Sequence, residues 1–125
     1  MTWVDDTIRD FGLGMGMEDL SFNEEGLLCL AFETMGTLFL EYNREDITIY
    51  LVREYPPHET AIAGRALSLC HYRQGLPFVM NAALRGDNLL VFSALVPEND
   101  FSLPVLERAV DLLAEQHRKV MEETF

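Results

Sequence analysis

The sequence predicts an α+β domain in which helices flank a mostly antiparallel, twisted sheet, with elements in the order α-β-β-β-α-β-β-α. Three observations carry this expectation. Short apolar runs separated by tight turn signals come in two groups, the patterning of meanders and hairpins and not the strand–helix alternation of a parallel sheet. Around those groups lie segments whose apolar residues recur at helical spacing. Finally, 125 residues of which 49% are apolar suffice for one core, so residues 1–125 are expected to form a single domain.

The first helix is short. Val4, Ile8 and Phe11 recur at helical spacing, Asp5 and Asp6 favour the helix dipole in its first turn, and Gly12, Gly14 and Gly16 end it. Asn23-Glu24-Glu25-Gly26 is a turn signal, and three strands are expected after it at 27–33, 37–42 and 47–54. Met35-Gly36 and Asn43-Arg44-Glu45-Asp46 supply the connecting turns. The third strand alternates Ile47, Ile49 and Leu51 with Thr48, Tyr50 and Val52, so its second face is less polar than one that simply meets water. Pro56-Pro57 stops the meander, because neither proline can donate to a ladder.

A second helix fits residues 59–73 and is closed by Gly75. Ile62, Ala66 and Leu69 share one face, and Ala61, Ala63, Gly64 and Ser68 are small. Strands at 78–84 and 89–96 form a hairpin around Gly86-Asp87-Asn88, and Pro97 ends it. The last helix follows Ser102 as N-cap, with Pro104 in its first turn. Its apolar stripe is Leu106, Ala109, Val110, Leu113, His117 and Val120; its other face carries Glu107, Asp111, Glu115, Arg118 and Glu122.

Composition excludes several classes of function. There are 21 acidic residues against 9 basic ones, a formal net charge of −12, and Lys119 is the only lysine. Phosphate backbones and anionic lipid surfaces are gripped by clustered Lys and Arg, so neither nucleic acid nor membrane is an expected partner. No stretch approaches the roughly 18 apolar residues of a membrane span. The start, Met1-Thr2-Trp3-Val4-Asp5-Asp6, lacks the basic and apolar regions of a signal peptide. Cys29 and Cys70 lie far apart and read as reduced thiols, so a cytoplasmic protein is expected.

No catalytic or metal-binding constellation emerges, and neither enzymatic activity nor a cofactor is expected. Cys70 and His71 are adjacent, and neighbours on a helix point about 100° apart, which is wrong for a nucleophile–base pair. Cys29 reads as a core strand residue. His58, His71 and His117 have no partner at metal-ligand spacing. The acidic pairs Asp5-Asp6, Glu24-Glu25, Glu45-Asp46 and Glu122-Glu123 fall in turns and helix ends, where carboxylates are solvated. Gly12-Leu13-Gly14-Met15-Gly16 follows a helix instead of a strand and lacks the Lys-Ser/Thr ending of a phosphate loop. Arg85-Gly86-Asp87 occupies a hairpin turn, where Gly-Asp is expected for backbone reasons.

Two features remain, each open to two readings. The face of Val4, Ile8 and Phe11, joined by Trp3 and Leu13, either covers the sheet or forms a groove for apolar side chains of an extended peptide. The small-residue helix 59–73, followed by Phe78, Val79 and Met80, either packs within the chain or makes a two-fold contact.

Phe11-Gly12-Leu13, leading to Leu20-Ser21-Phe22-Asn23-Glu24-Glu25-Gly26-Leu27-Leu28-Cys29-Leu30-Ala31-Phe32, is similar to the opening helix, the "sL-x-F-[DN]-E-x-G" turn and the first strand of the class I type III secretion chaperones of the Tir-chaperone (CesT-like) family. The hairpin Asn88-Leu89-Leu90-Val91-Phe92-Ser93-Ala94-Leu95-Val96-Pro97, followed by an acidic stretch and the final helix, is a second match. The resemblance runs from about residue 4 to residue 122. The loop Gly14-Met15-Gly16-Met17 is richer in Gly and Met than the family pattern.

The resemblance implies a cytoplasmic bacterial homodimer that binds the N-terminal region of a secreted effector in extended form, keeps it secretion-competent and presents it to the secretion ATPase. On that reading the effector-facing residues are Trp3, Ile8, Phe11, Leu13, Leu38, Leu40, Ile49 and Leu51, and the dimer contacts are Ile62, Ala66, Leu69, Phe78, Met80 and Ala82. A one-residue change of strand register would exchange the strand residues of the first set for their neighbours. The competing reading is a regulatory or adaptor protein of the same fold that binds a folded partner. A thiol enzyme using Cys70 or Cys29 is the third.

Overall fold

The computed structural model describes residues 3–33, 35–55, 79–86 and 88–122. Helix α1 (Trp3–Gly14) is followed by strands β1 (Leu27–Phe32), β2 (Gly36–Tyr42) and β3 (Asp46–Glu54). Strands β4 (Val79–Arg85) and β5 (Leu89–Pro97), a single 3₁₀ turn (Glu98–Asp100) and helix α2 (Leu103–Glu122) complete the order. The 59–73 helix expected from the sequence lies outside the described residues.

All five strands join one antiparallel sheet in the order β1-β2-β3-β5-β4. β3 is central and pairs along its whole length with β5, which leaves β1 and β4 at the edges. Burial alternates along the central parts of the middle strands. Leu28 and Leu30 of β1, Leu38 and Leu40 of β2, and Ile47, Ile49 and Leu51 of β3 face one side, with Leu90, Phe92, Ala94 and Val96 of β5. Val4, Ile8 and Phe11 of α1, and Leu106, Ala109, Val110, Leu113 and Val120 of α2, belong to the same core cluster. Each helix contributes the i, i+3/i+4 stripe that its sequence displays. Both helices therefore cover one face of the sheet.

Local chemistry sets the turns. The Asn23 side-chain oxygen accepts hydrogen bonds from the Glu25 and Leu27 amides at 2.9 and 3.0 Å, closing an Asx turn. Gly26 within it has φ +80°, and a Cβ there would stand 2.5 Å from the Tyr42 carbonyl oxygen, so this position requires glycine. Asn43 repeats the device, accepting from the Asp46 amide at 3.0 Å. At the end of α1 the Met15 and Met17 amides both donate to the Gly12 carbonyl, at 2.9 and 2.8 Å. The returning chain packs Leu20 against Gly12, where a Cβ would come within 2.8 Å of the Leu20 Cβ. Ser102 caps α2, its hydroxyl accepting from the Val105 amide at 3.3 Å.

Candidate functional site

Among the described residues no group of His, Cys, Asp and Glu is arranged to hold a metal ion. Cys29 is exposed on β1, on the side of the sheet away from the helices, and not in the core where its strand pattern had placed it. Cys70, His58 and His71 lie outside the described residues. His117 is fully buried, and its surroundings are structural. Its Nε2 lies 2.8 Å from the Leu51 carbonyl oxygen, which can only accept, so Nε2 carries the proton. Nδ1 then accepts from the Tyr55 hydroxyl at 2.9 Å. The Phe92 ring meets the imidazole edge-on at 4.7 Å between centroids. Burial pushes the imidazole pKa down to about 4, and it is held neutral.

The residues expected to face a partner divide sharply by position. Trp3 and Leu13 are exposed, at 45% and 54%. Ile8, Phe11, Leu38, Leu40, Ile49 and Leu51 are buried in the core between helices and sheet, where a partner reaches them only by displacing a helix. Of the expected dimer contacts, Met80 is buried and Ala82 half-buried, both in β4 on the helix-bearing side of the sheet. Ile62, Ala66, Leu69 and Phe78 lie outside the described residues.

Among the described residues, no element packs on the opposite face of the sheet. Cys29, Phe39, Tyr50, Ser93 and Asn81 form one row across all five strands, apolar toward β1 and polar toward β4. Tyr50 donates its hydroxyl hydrogen bond to Glu41 at 3.0 Å, a contact within the same face. Ala31, Thr37, Val52, Val91 and Ala83 form the neighbouring row. Leu27 and Phe39 are the large exposed side chains there; Leu84, 53% exposed at the end of β4, lies instead on the helix-bearing side with Met80 and Ala82. Phe39 and Leu27 could be found in the sequence only by inverting the strand phase. Met15 and Met17, exposed after α1, were visible only as an unusual loop composition.

The β1 edge completes the site. Its sequence, Leu-Leu-Cys-Leu-Ala-Phe, holds no charge and no proline, and its register against β2 runs from Leu27↔Glu41 to Phe32↔Gly36 without a bulge. Proteins ordinarily blunt an edge strand with such features. Left without them, the outer backbone groups of β1 beyond Leu27, whose amide and carbonyl are both bonded to Asn23, form a template for another strand.

The described residues, a five-stranded antiparallel sheet with two helices packed on one face, belong to a fold shared with several solved secretion chaperones. Yersinia pestis SycH, in complex with a stable fragment of YscM2, superposes with a TM-score of 0.71 at 15% identity, covering 94% of this chain and 98% of that one. The HopA1–SchA chaperone–effector complex gives 0.69 at 22% identity, covering 94% and 91%. At those identities the likeness defines the class of fold, that of the type III secretion chaperones. Sequence then defines the family. A model of the type III secretory system chaperone SycN family matches residues 3–121, and the chain belongs to that family. The chaperone protein SycN of Yersinia enterocolitica is 27% identical over 122 residues, 97% of this chain and 98% of its own length.

Proposed function

We propose that this type III secretion chaperone binds the N-terminal region of a secreted effector in extended form, in the bacterial cytoplasm, and that its role is not catalytic. The observation that carries the reading is the β1 edge, a bare apolar strand beside the exposed Leu27 and Phe39. An extended client adds a strand there through main-chain hydrogen bonds and seats alternate side chains on the open face. Ordering a disordered segment costs conformational entropy, so the contact must bury substantial apolar area. The cargo-facing set is then Trp3 and Leu13 of α1 with Leu27 and Phe39 of the sheet, while the six buried residues hold the scaffold that presents them. The partner in the HopA1–SchA structure is an effector, which favours this reading over a folded regulatory partner.

The chaperone is proposed to act as a homodimer through the helix expected at 59–73 and the β4 edge, with Leu84 beside the contact, and to present its client to the secretion ATPase. Among the described residues no helix is long and apolar enough to cross a membrane. Purification from the native bacterium tests the proposal. It should recover one effector with about two chaperone chains, the stoichiometry of a two-fold dimer. Limited proteolysis should spare an N-terminal client fragment while the chaperone is bound. A chaperone that returns as a monomer without a client, or a client that is equally cleaved with and without it, contradicts the proposal.

A further inference from the structure

The exposed line of α1 contains more than apolar side chains. At 100° per residue, positions 3, 6, 10 and 13 fall along one side of a helix. Here that side reads Trp3, Asp6, Asp10, Leu13, opposite the buried Val4, Ile8 and Phe11, and all four are exposed. Trp3 is steadied by the Phe101 ring, 6.3 Å away between centroids, and still leaves nearly half its surface open. Asp6 is paired with Arg9 at 3.3 Å. In the turn after Leu13, Met15 and Met17 are exposed as well, with side chains that adapt to many shapes. Glu18 and Asp19 follow at once and are exposed too.

We propose that this line selects client segments in which a basic residue stands between two large apolar ones. The inference rests on the effector-binding reading above and adds a rule of client chemistry to it. Trp3 and Leu13 lie ten helical residues apart, about 15 Å along the axis. In an extended client, residues i and i+4 are about 13 Å apart and share a face with i+2. Apolar side chains at i and i+4 therefore reach the Trp3 and Leu13 ends together, and the i+2 side chain falls opposite Asp6 and Asp10. An Arg or Lys there meets complementary charge, and a Glu or Asp meets repulsion in a chain that already carries a net charge of −12. The exposed carboxylates thus act as a filter on what the apolar ends will accept.

Trp3 is the only tryptophan, so its indole N–H gives a single resonance at the site itself. The full chain is titrated at low salt with a synthetic peptide carrying Leu-Ser-Arg-Ser-Leu at its centre, and with a second carrying Leu-Ser-Glu-Ser-Leu. The Arg peptide should shift the Trp3 resonance and bind roughly three- to tenfold more tightly than the Glu peptide, the range expected for exposed charges. Asp10→Lys should erase or reverse that preference, and Asp111→Lys, the same charge change on the outer face of α2, should leave it standing. Equal affinity for both peptides, or a preference that survives Asp10→Lys, overturns the charge rule while leaving effector binding intact. A Trp3 resonance that neither peptide moves overturns the α1 site, and effector recovery from the bacterium then judges the wider function separately.

Discussion

The Tyr55 hydroxyl lies 2.9 Å from Nδ1 of His117, joining the residue after β3 to the second turn from the end of α2 across 62 positions of sequence. Leu51 of β3 takes the other end of the imidazole through its carbonyl oxygen. The ring is a polar rivet within an apolar layer, and burial holds it neutral, with the proton on Nε2 facing the Leu51 carbonyl.

Stability should therefore fall with acid in a definite window. An unfolded histidine titrates near the ordinary value of 6.5, and the folded one near 4. Between these values the unfolded chain binds the additional proton, so His117 favours the fold fully above about pH 6.5 and loses that contribution as pH falls toward 4. The loss amounts to a few kcal/mol at most. Urea unfolding of the wild type and of His117→Leu at neutral pH and near pH 4.5 should show the wild type losing more stability on acidification. Parallel losses in the two proteins contradict the assignment.

Tyr55→Phe removes one hydrogen bond to the ring and leaves Nδ1 buried without a donor. A destabilisation of about 1–3 kcal/mol is expected. Chemical denaturation reads it directly.

Ile8 has no exposed surface, and Ile8→Asp places a carboxylate in the apolar layer between α1 and the sheet. The sequence made this residue a client contact; its burial makes it a stability residue. The substitution should cost about 3–5 kcal/mol or prevent folding, visible as lost helical circular dichroism, so loss of client binding by this variant reports unfolding.

Gly26→Ala forces a Cβ against the Tyr42 carbonyl at a positive φ. A loss of about 1–3 kcal/mol is expected from the backbone conformation and the close contact together. Thermal melting measures it, and a variant as stable as the wild type would mean that the 23–27 turn can relax.

Much of this architecture is legible in the sequence, because turn chemistry and strand spacing are local. Asn23, Gly26, Asn43 and Ser102 announce the turns and the cap that the structure contains. The facing of the strands is not legible. Leu38 and Leu40 alternate with Phe39, and Ile49 and Leu51 alternate with Tyr50 and Val52, so neither phase is polar enough to declare itself the wet side. Choosing the more aliphatic phase as the binding face selected the residues that the core uses. The pairing of β3 with β5 is hidden as well, since sheet order depends on long-range packing and no strand encodes its neighbour. His117 is visible as a member of the α2 stripe, but its partner Tyr55 stands beyond any local pattern.

The central claim is that an extended client pairs with β1. Hydrogen–deuterium exchange on the chaperone, alone and in complex with the effector recovered from the native bacterium, tests it most directly. The account predicts that amides within residues 28–32 become protected when the client is bound, and that Phe39→Asp weakens the complex without lowering the melting temperature. Protection confined to other elements, with β1 exchanging at the same rate in both states, would contradict it.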